Sequence, residues 1–167
     1  MDLNSLPNIA LTGDILLVHG RRLEQEAIQI MTCSPFCHVA LLIGDVGGPY
    51  TVAEFIEPDG FAHTPLPDWL ASRDGEDIYF GQCPEIVAQN GLKIIGAIPQ
   101  FEGKKYDFAD LPLAWLSEIT GQTYESTPHI CSFFVEEMWR LAGFATSGNL
   151  PPGGFLKAAE YVSYINM

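Results

Sequence analysis

Cys131 stands a few residues after Thr127-Pro128, where Ile130, Phe133, Phe134, Met138 and Leu141 recur at three- and four-residue steps until Gly143. That spacing predicts an amphipathic helix closed by a glycine. A thiol in the first turn of such a helix meets unpaired backbone N–H groups and the positive end of the helix dipole, which favour the thiolate. The same N–H groups can hold an oxyanion once an acyl carbon is attacked. Position alone fits a reactive thiol and a packed core thiol equally.

A thiol nucleophile needs a base within hydrogen-bond reach. Of the four histidines, His19, His38, His63 and His129, only His38 heads an intensely apolar strand, Val39-Ala40-Leu41-Leu42-Ile43. A strand end fixes a side chain firmly, as a base requires, although a histidine there also serves simply to cap the strand. His129 is two residues before Cys131 and points to another face of the helix start, while His19 and His63 read as surface residues. Glu54, within Val52-Ala53-Glu54-Phe55-Ile56, sits in the neighbouring apolar run. A carboxylate there is costly unless paired, which makes it a partner for His38. Glu57, beside Pro58-Asp59-Gly60, reads as solvated.

The elements that must position these groups follow from periodicity and turn signals. Gly13-Asp14 feeds a buried strand, Ile15 to Val18, and Arg22 to Met31 is helical, with Leu23, Ala27, Ile30 and Met31 on one side. The strand from His38 and the run Tyr50 to Ile56 form a hairpin across a Gly-rich turn at 45–49. A short strand, Phe61 to Thr64, a helical turn, Pro67 to Ala71, and another strand, Asp77 to Phe80, come next. Pro84 to Ile98 reads as one helix, with Val87, Ile94, Ile95 and Ile98 inward and Pro84 in its first turn. A loop at Gly103 to Asp107 and a short helix at Leu113 to Ile119 precede the helix of Cys131. Asn149 to Gly154 is a loop, and the last dozen residues form a short helix or strand. Strands first and helices after them predict a single α+β domain over residues 1–167.

Composition narrows the partners. A formal charge of −13 repels polyanions, so nucleic acid and anionic membrane surfaces are poor partners. Apolar runs are strand-length, far short of the roughly 20 residues that cross a bilayer. The first ten residues lack the basic and apolar regions of a signal peptide, which leads to the expectation of a cytoplasmic protein, released by lysis or a non-standard route if at all. Four irregularly spaced cysteines argue against a disulfide framework. Cys33, Cys37 and His38 cluster, but only Cys83 could complete a zinc set, so no metal and no cofactor is expected, and Cys33, Cys37 and Cys83 read as semi-buried thiols.

The ordered segments resemble the permuted papain-like hydrolases related to NlpC-type cell-wall peptidases, in particular their YiiX-like branch. The resemblance is carried by Gly13-Asp14-Ile15-Leu16-Leu17, Cys37-His38-Val39-Ala40-Leu41-Leu42-Ile43-Gly44 and Val52-Ala53-Glu54-Phe55. It continues through Gly60-Phe61 with Pro65-Leu66, Lys105-Tyr106-Asp107-Phe108 and Ile130-Cys131-Ser132-Phe133-Phe134-Val135. Papain runs cysteine first, whereas here His38 precedes Cys131, as in the permuted order. The chain departs at Cys37, where the family often has a small residue, and at Phe133, where it often has Glu.

The resemblance implies a small antiparallel sheet or barrel packed against helices, with the catalytic cysteine at the start of a late helix. It assigns Cys131 as nucleophile, His38 as base and Glu54 as the group that orients His38, with Tyr106 and Asp107 lining the cleft. The implied activity is a cysteine amidase or peptidase acting on a small peptide or aminoacyl substrate, including cell-wall peptides. Two other functions fit the scaffold: a thioesterase or lipid acyltransferase, and a non-catalytic binding or virion-structural domain. The oligomeric state is not readable from the sequence.

Overall fold

A computed structural model describes residues 9–44, 49–106, 131–146 and 150–165. Its strands are β1 (Ile15–His19), β2 (His38–Ile43), β3 (Thr51–Ile56), β4 (Gly60–Pro65), β5 (Asp77–Gln82) and β6 (Tyr161–Tyr164). They form one antiparallel sheet in the order β4-β3-β2-β1-β5-β6. The helices are α1 (Leu23–Met31), α2 (Leu66–Ala71), α3 (Glu85–Gln89), α4 (Gly91–Ala97), α5 (Cys131–Leu141) and α6 (Phe155–Ala158).

The unbroken apolar runs of β1 and β2 are explained by burial of both sheet faces. Ile15, Leu17, Val39, Leu41, Ala53 and Phe55 join one core with residues of α4, α5 and α6. Leu16, Val18, Ala40, Leu42 and Val52 join a second core with Leu66, Trp69 and Leu70 of α2. The two-residue period of a strand therefore decides which helix layer each side chain meets.

The Gly13-Asp14 pair ties three elements together. Asp14 is 1% exposed, and its carboxylate accepts the backbone N–H of Leu11 at 2.7 Å and of Cys83, beyond β5, at 2.8 Å. The indole of Trp139 in α5 donates to the Gly13 carbonyl at 2.8 Å. Gly13 has φ +105°, and a Cβ there would lie 2.6 Å from Val87, so no larger residue fits.

Three helical readings need correction. The expected helix Pro84 to Ile98 is two, α3 and α4, separated at Asn90 and continued by a 3-10 turn, Ile98–Phe101. Gly91 lies where a Cβ would press to 3.1 Å on Thr12, so the chain packs closely at the break. Ile95 faces solvent at 40% exposure, whereas Val87, Ile94 and Ile98 are buried as expected. Helix α1 forms, but Leu23 and Ile30 of its expected apolar side are 84% and 76% exposed, while Ile28 packs against the core. Leu141 is also exposed, while Phe134 and Met138 of α5 are fully buried. The last dozen residues hold the end of α6 and then β6, which pairs with β5 at the sheet edge. The helix expected at Leu113 to Ile119, the 45–48 part of the expected turn, and Thr127 to Ile130 lie outside the described residues.

Candidate active site

Glu54 alternates with the inward Ala53 and Phe55, so it turns to the face covered by α2. The β2–β3 register pairs Leu41 with Ala53, which continued one residue sets Glu54 opposite Ala40, two residues from His38. That diagonal spacing is within reach of long side chains. His38 Nε2 lies 2.6 Å from Glu54 Oε2, leaving Nδ1 for a second partner. The thiol of Cys131, in the first turn of α5, interacts electrostatically with the His38 ring.

The position of Cys131 is set by aromatic packing one turn further along α5. Phe134 meets Phe55, Phe61 and Phe101 with ring centroids 5.6, 5.5 and 5.1 Å away. Edge-to-face contacts of this kind add about 0.5–1.5 kcal/mol each to the burial of the rings. They hold the start of α5 against the start of β2, where the Val39 and Ser132 backbone N–H groups reach the sulfur.

The electrostatics of the site run against burial. Burial alone would raise the Cys131 thiol, but the His38 charge, its hydrogen bond and the two backbone N–H groups pull it below the ordinary cysteine value. Burial alone would lower His38, yet the Cys131 thiolate, its hydrogen bond and then Glu54 raise the imidazole to about 9. The two shifts favour a thiolate–imidazolium pair. Elsewhere burial dominates: it pushes the Cys37 thiol up to about 11, and drives Cys83 upward with help from Asp14.

Glu54 is 1% exposed and pays for that burial with three donors. His38 and Arg73 meet Oε2, the latter through Nη2 at 3.0 Å, and Trp69 Nε1 donates to Oε1 at 2.7 Å. Burial raises the carboxyl, but His38, Arg73 and Trp69 together hold it below the usual carboxylate range. Sequence reasoning missed Trp69 and Arg73. The signal available was slight: an indole N–H in an apolar helical turn needs an acceptor, and Arg73 follows four residues later.

A cavity of about 280 Å³ opens beside His38, with Phe55, Glu57, Arg73 and Tyr106 in its wall and Gln25 and Ile28 of α1 opposite. Tyr106 lines this cavity, and burial followed by the Cys131 charge pushes its hydroxyl upward. Asp107 and His129 lie outside the described residues. His19 is bound to the Pro35 carbonyl at 2.6 Å and His63 to Thr51 at 2.6 Å, both away from the thiol. Glu57 is exposed, as expected for a residue beside a turn.

The model of the permuted papain-like amidase enzymes (YaeF/YiiX, peptidase family C92) matches residues 10–146. The chain belongs to that family. The family is one of permuted papain-like amidases, and the chain has an α+β fold whose sheet packs against helices. The crystal structure of the metalloprotein YiiX from Escherichia coli O157:H7 shares the fold, with a TM-score of 0.59 and 22% identity. The likeness covers 80% of this chain and 66% of that one, so this chain spans just under two thirds of its length. No curated protein matches the sequence.

The described residues do not fit a metal. No three His, Cys, Asp or Glu side chains among them are grouped to hold one. Cys33 is exposed rather than semi-buried, Cys37 and Cys83 are buried, and His38 Nε2 is engaged by Glu54. Among the described residues no helix is long and apolar enough to cross a membrane.

Proposed function

We propose that this amidase is a cysteine enzyme in which Cys131 is the nucleophile, His38 the base and acid, and Glu54 the group that orients His38. The observation that carries the reading is the 2.6 Å contact of Glu54 with a His38 ring that pairs electrostatically with the Cys131 thiol. His38 Nδ1 takes the thiol proton, and the sulfur attacks the carbonyl carbon of an amide. The Cys131 backbone N–H donates to the tetrahedral oxyanion. Its collapse breaks the C–N bond, and the imidazolium gives its proton to the departing amine. Water, deprotonated by His38, then cleaves the thioester to release the acid and restore the thiol.

The substrate in this reading is an amide in a small peptide or aminoacyl compound, seated in the cavity beside His38 with Tyr106 as one wall. Neither nucleic acid nor a metal takes part.

The test is hydrolysis of a panel of peptide amides, esters and thioesters by the wild-type chain and by Cys131→Ala. Loss of all turnover in Cys131→Ala, with an acyl adduct trapped on Cys131 in the wild type, supports the assignment. Turnover that survives the substitution sinks it. Transfer to added amines or alcohols in preference to water would identify an acyltransferase instead.

A further inference from the structure

A Cys131 thiolate, a His38 imidazolium and a Glu54 carboxylate together carry one net negative charge in a buried site. Such a charge is costly unless a cation compensates it. Arg73 stands where that cation is required. Its Nη2 shares Glu54 Oε2 with His38, at 3.0 Å, and its guanidinium lies over the Trp69 ring, 5.0 Å from the centroid. Trp69 in turn holds the other oxygen of the same carboxylate. The Arg73 side chain is only 15% exposed.

We propose that Arg73 is a positioning residue of the active site, fixing the Glu54 carboxylate against His38 and supplying the charge that balances the Cys131–His38–Glu54 set. This rests on the cysteine amidase reading above and extends it to a residue that touches none of the reacting atoms. Among the described residues, the neighbours fit the role. Facing Cys131 are His38 from β2 and Tyr106, with Cys37 and Glu57 on the same cavity. Facing Arg73 are Glu54 from β3 and Glu76, whose Oε2 lies 3.7 Å from Nη1 and whose Oε1 is held by Gln25 of α1. Glu76 draws on the same guanidinium from outside the site, so Arg73 is shared between an inner and an outer carboxylate.

The sign of the consequence follows from charge. Removing a cation near a group that loses a proton raises that group's pKa, so loss of Arg73 disfavours the thiolate. Removing the Glu76 charge has the opposite effect, because Arg73 is then less neutralised.

The experiment is the pH dependence of Cys131 alkylation by iodoacetamide, read by peptide mapping on the full chain. In the wild type the acid limb is expected below that of an ordinary thiol. Arg73→Gln is expected to move that limb up by about one pH unit, the size expected for a unit charge lost several ångströms away. Below both limbs its alkylation rate is then about tenfold slower than wild type. Arg73→Lys is expected to restore most of the shift, and Glu76→Gln to move the limb down.

A depressed wild-type limb that Arg73→Gln leaves in place overturns the proposal. A wild-type Cys131 that titrates like an ordinary thiol overturns the cysteine amidase reading instead. If circular dichroism shows that Arg73→Gln does not fold, the other two variants decide. Support then requires a lowered limb in Glu76→Gln and a near wild-type limb in Arg73→Lys, and an unmoved Glu76→Gln limb overturns the proposal.

Discussion

His38 Nε2 is engaged by Glu54 Oε2 at 2.6 Å, which leaves Nδ1 of the ring for a further partner. Glu54→Gln keeps the size of the side chain but removes the charge that stabilises the imidazolium, and it leaves Arg73 facing a neutral group. The amide also presents two donors where the site offers only donors, one of them the Trp69 indole. Breaking a buried pair by removing one partner costs about 3–5 kcal/mol. Urea unfolding should therefore show a loss near the lower end of that range for Glu54→Gln, and a larger loss for Glu54→Ala. Amide hydrolysis by Glu54→Gln should fall by roughly 100-fold, the scale of a displaced acid–base group.

The pH profile follows from the opposite shifts of the paired groups. Cys131 is lowered and His38 is raised to about 9, so the thiolate–imidazolium pair exists between those two values. As pH falls through the Cys131 value the nucleophile is protonated. As pH rises through about 9 the imidazolium needed to protonate the leaving amine is lost. A bell-shaped kcat/KM profile for amides is the expected outcome. In Glu54→Gln the alkaline limb should move to lower pH, because Glu54 is one of the groups that raise His38. An alkaline limb that stays fixed in that variant would show that Glu54 does not act through the imidazole.

Helix α1 gives a prediction in the other direction. Its apolar residues Leu23, Ala27 and Ile30 recur at helical spacing, which reads as a buried stripe, yet Leu23 and Ile30 are largely exposed. Substitution of either by Gln should change the unfolding free energy by no more than about 0.5 kcal/mol, as for other surface positions. A loss of several kcal/mol in thermal or urea unfolding would mean that this face is covered in solution.

The contrast between α1 and β2 shows why some of the molecule was legible and some was not. A strand such as Val39 to Ile43, apolar at every position, has no exposed arrangement that tolerates it, so both its state and its burial followed from residue type. Glu54 stood out for the same reason, as a charge inside such a run. Periodicity in α1 reported that a helix forms but not which way its side would turn, since that depends on what packs against it. The break between α3 and α4 depends on Gly91 meeting Thr12, a contact between residues far apart in sequence. Arg73 was out of reach too, because its role exists only once α2 folds over β3. His38 and Cys131, by contrast, were marked by their places at element starts, and the ordered resemblance tied them to Glu54.

Asp14 separates the scaffold from the chemistry. It is a buried carboxylate within a family-like Gly-Asp pair, which invites a catalytic reading. Its oxygens, however, are occupied by the N–H groups of Leu11 and Cys83, and its thiol neighbour is Cys83 rather than Cys131. Asp14→Ala strands the buried Cys83 N–H, worth roughly 1–3 kcal/mol, and loses the partly buried bond from Leu11, so a destabilisation of about 2–3 kcal/mol is expected by urea unfolding. At a temperature where the variant remains folded, the pH profile of Cys131 alkylation should coincide with that of the wild type. A displaced profile would place Asp14 in electrostatic contact with the nucleophile, and a purely structural role for the Gly13-Asp14 pair could not then stand.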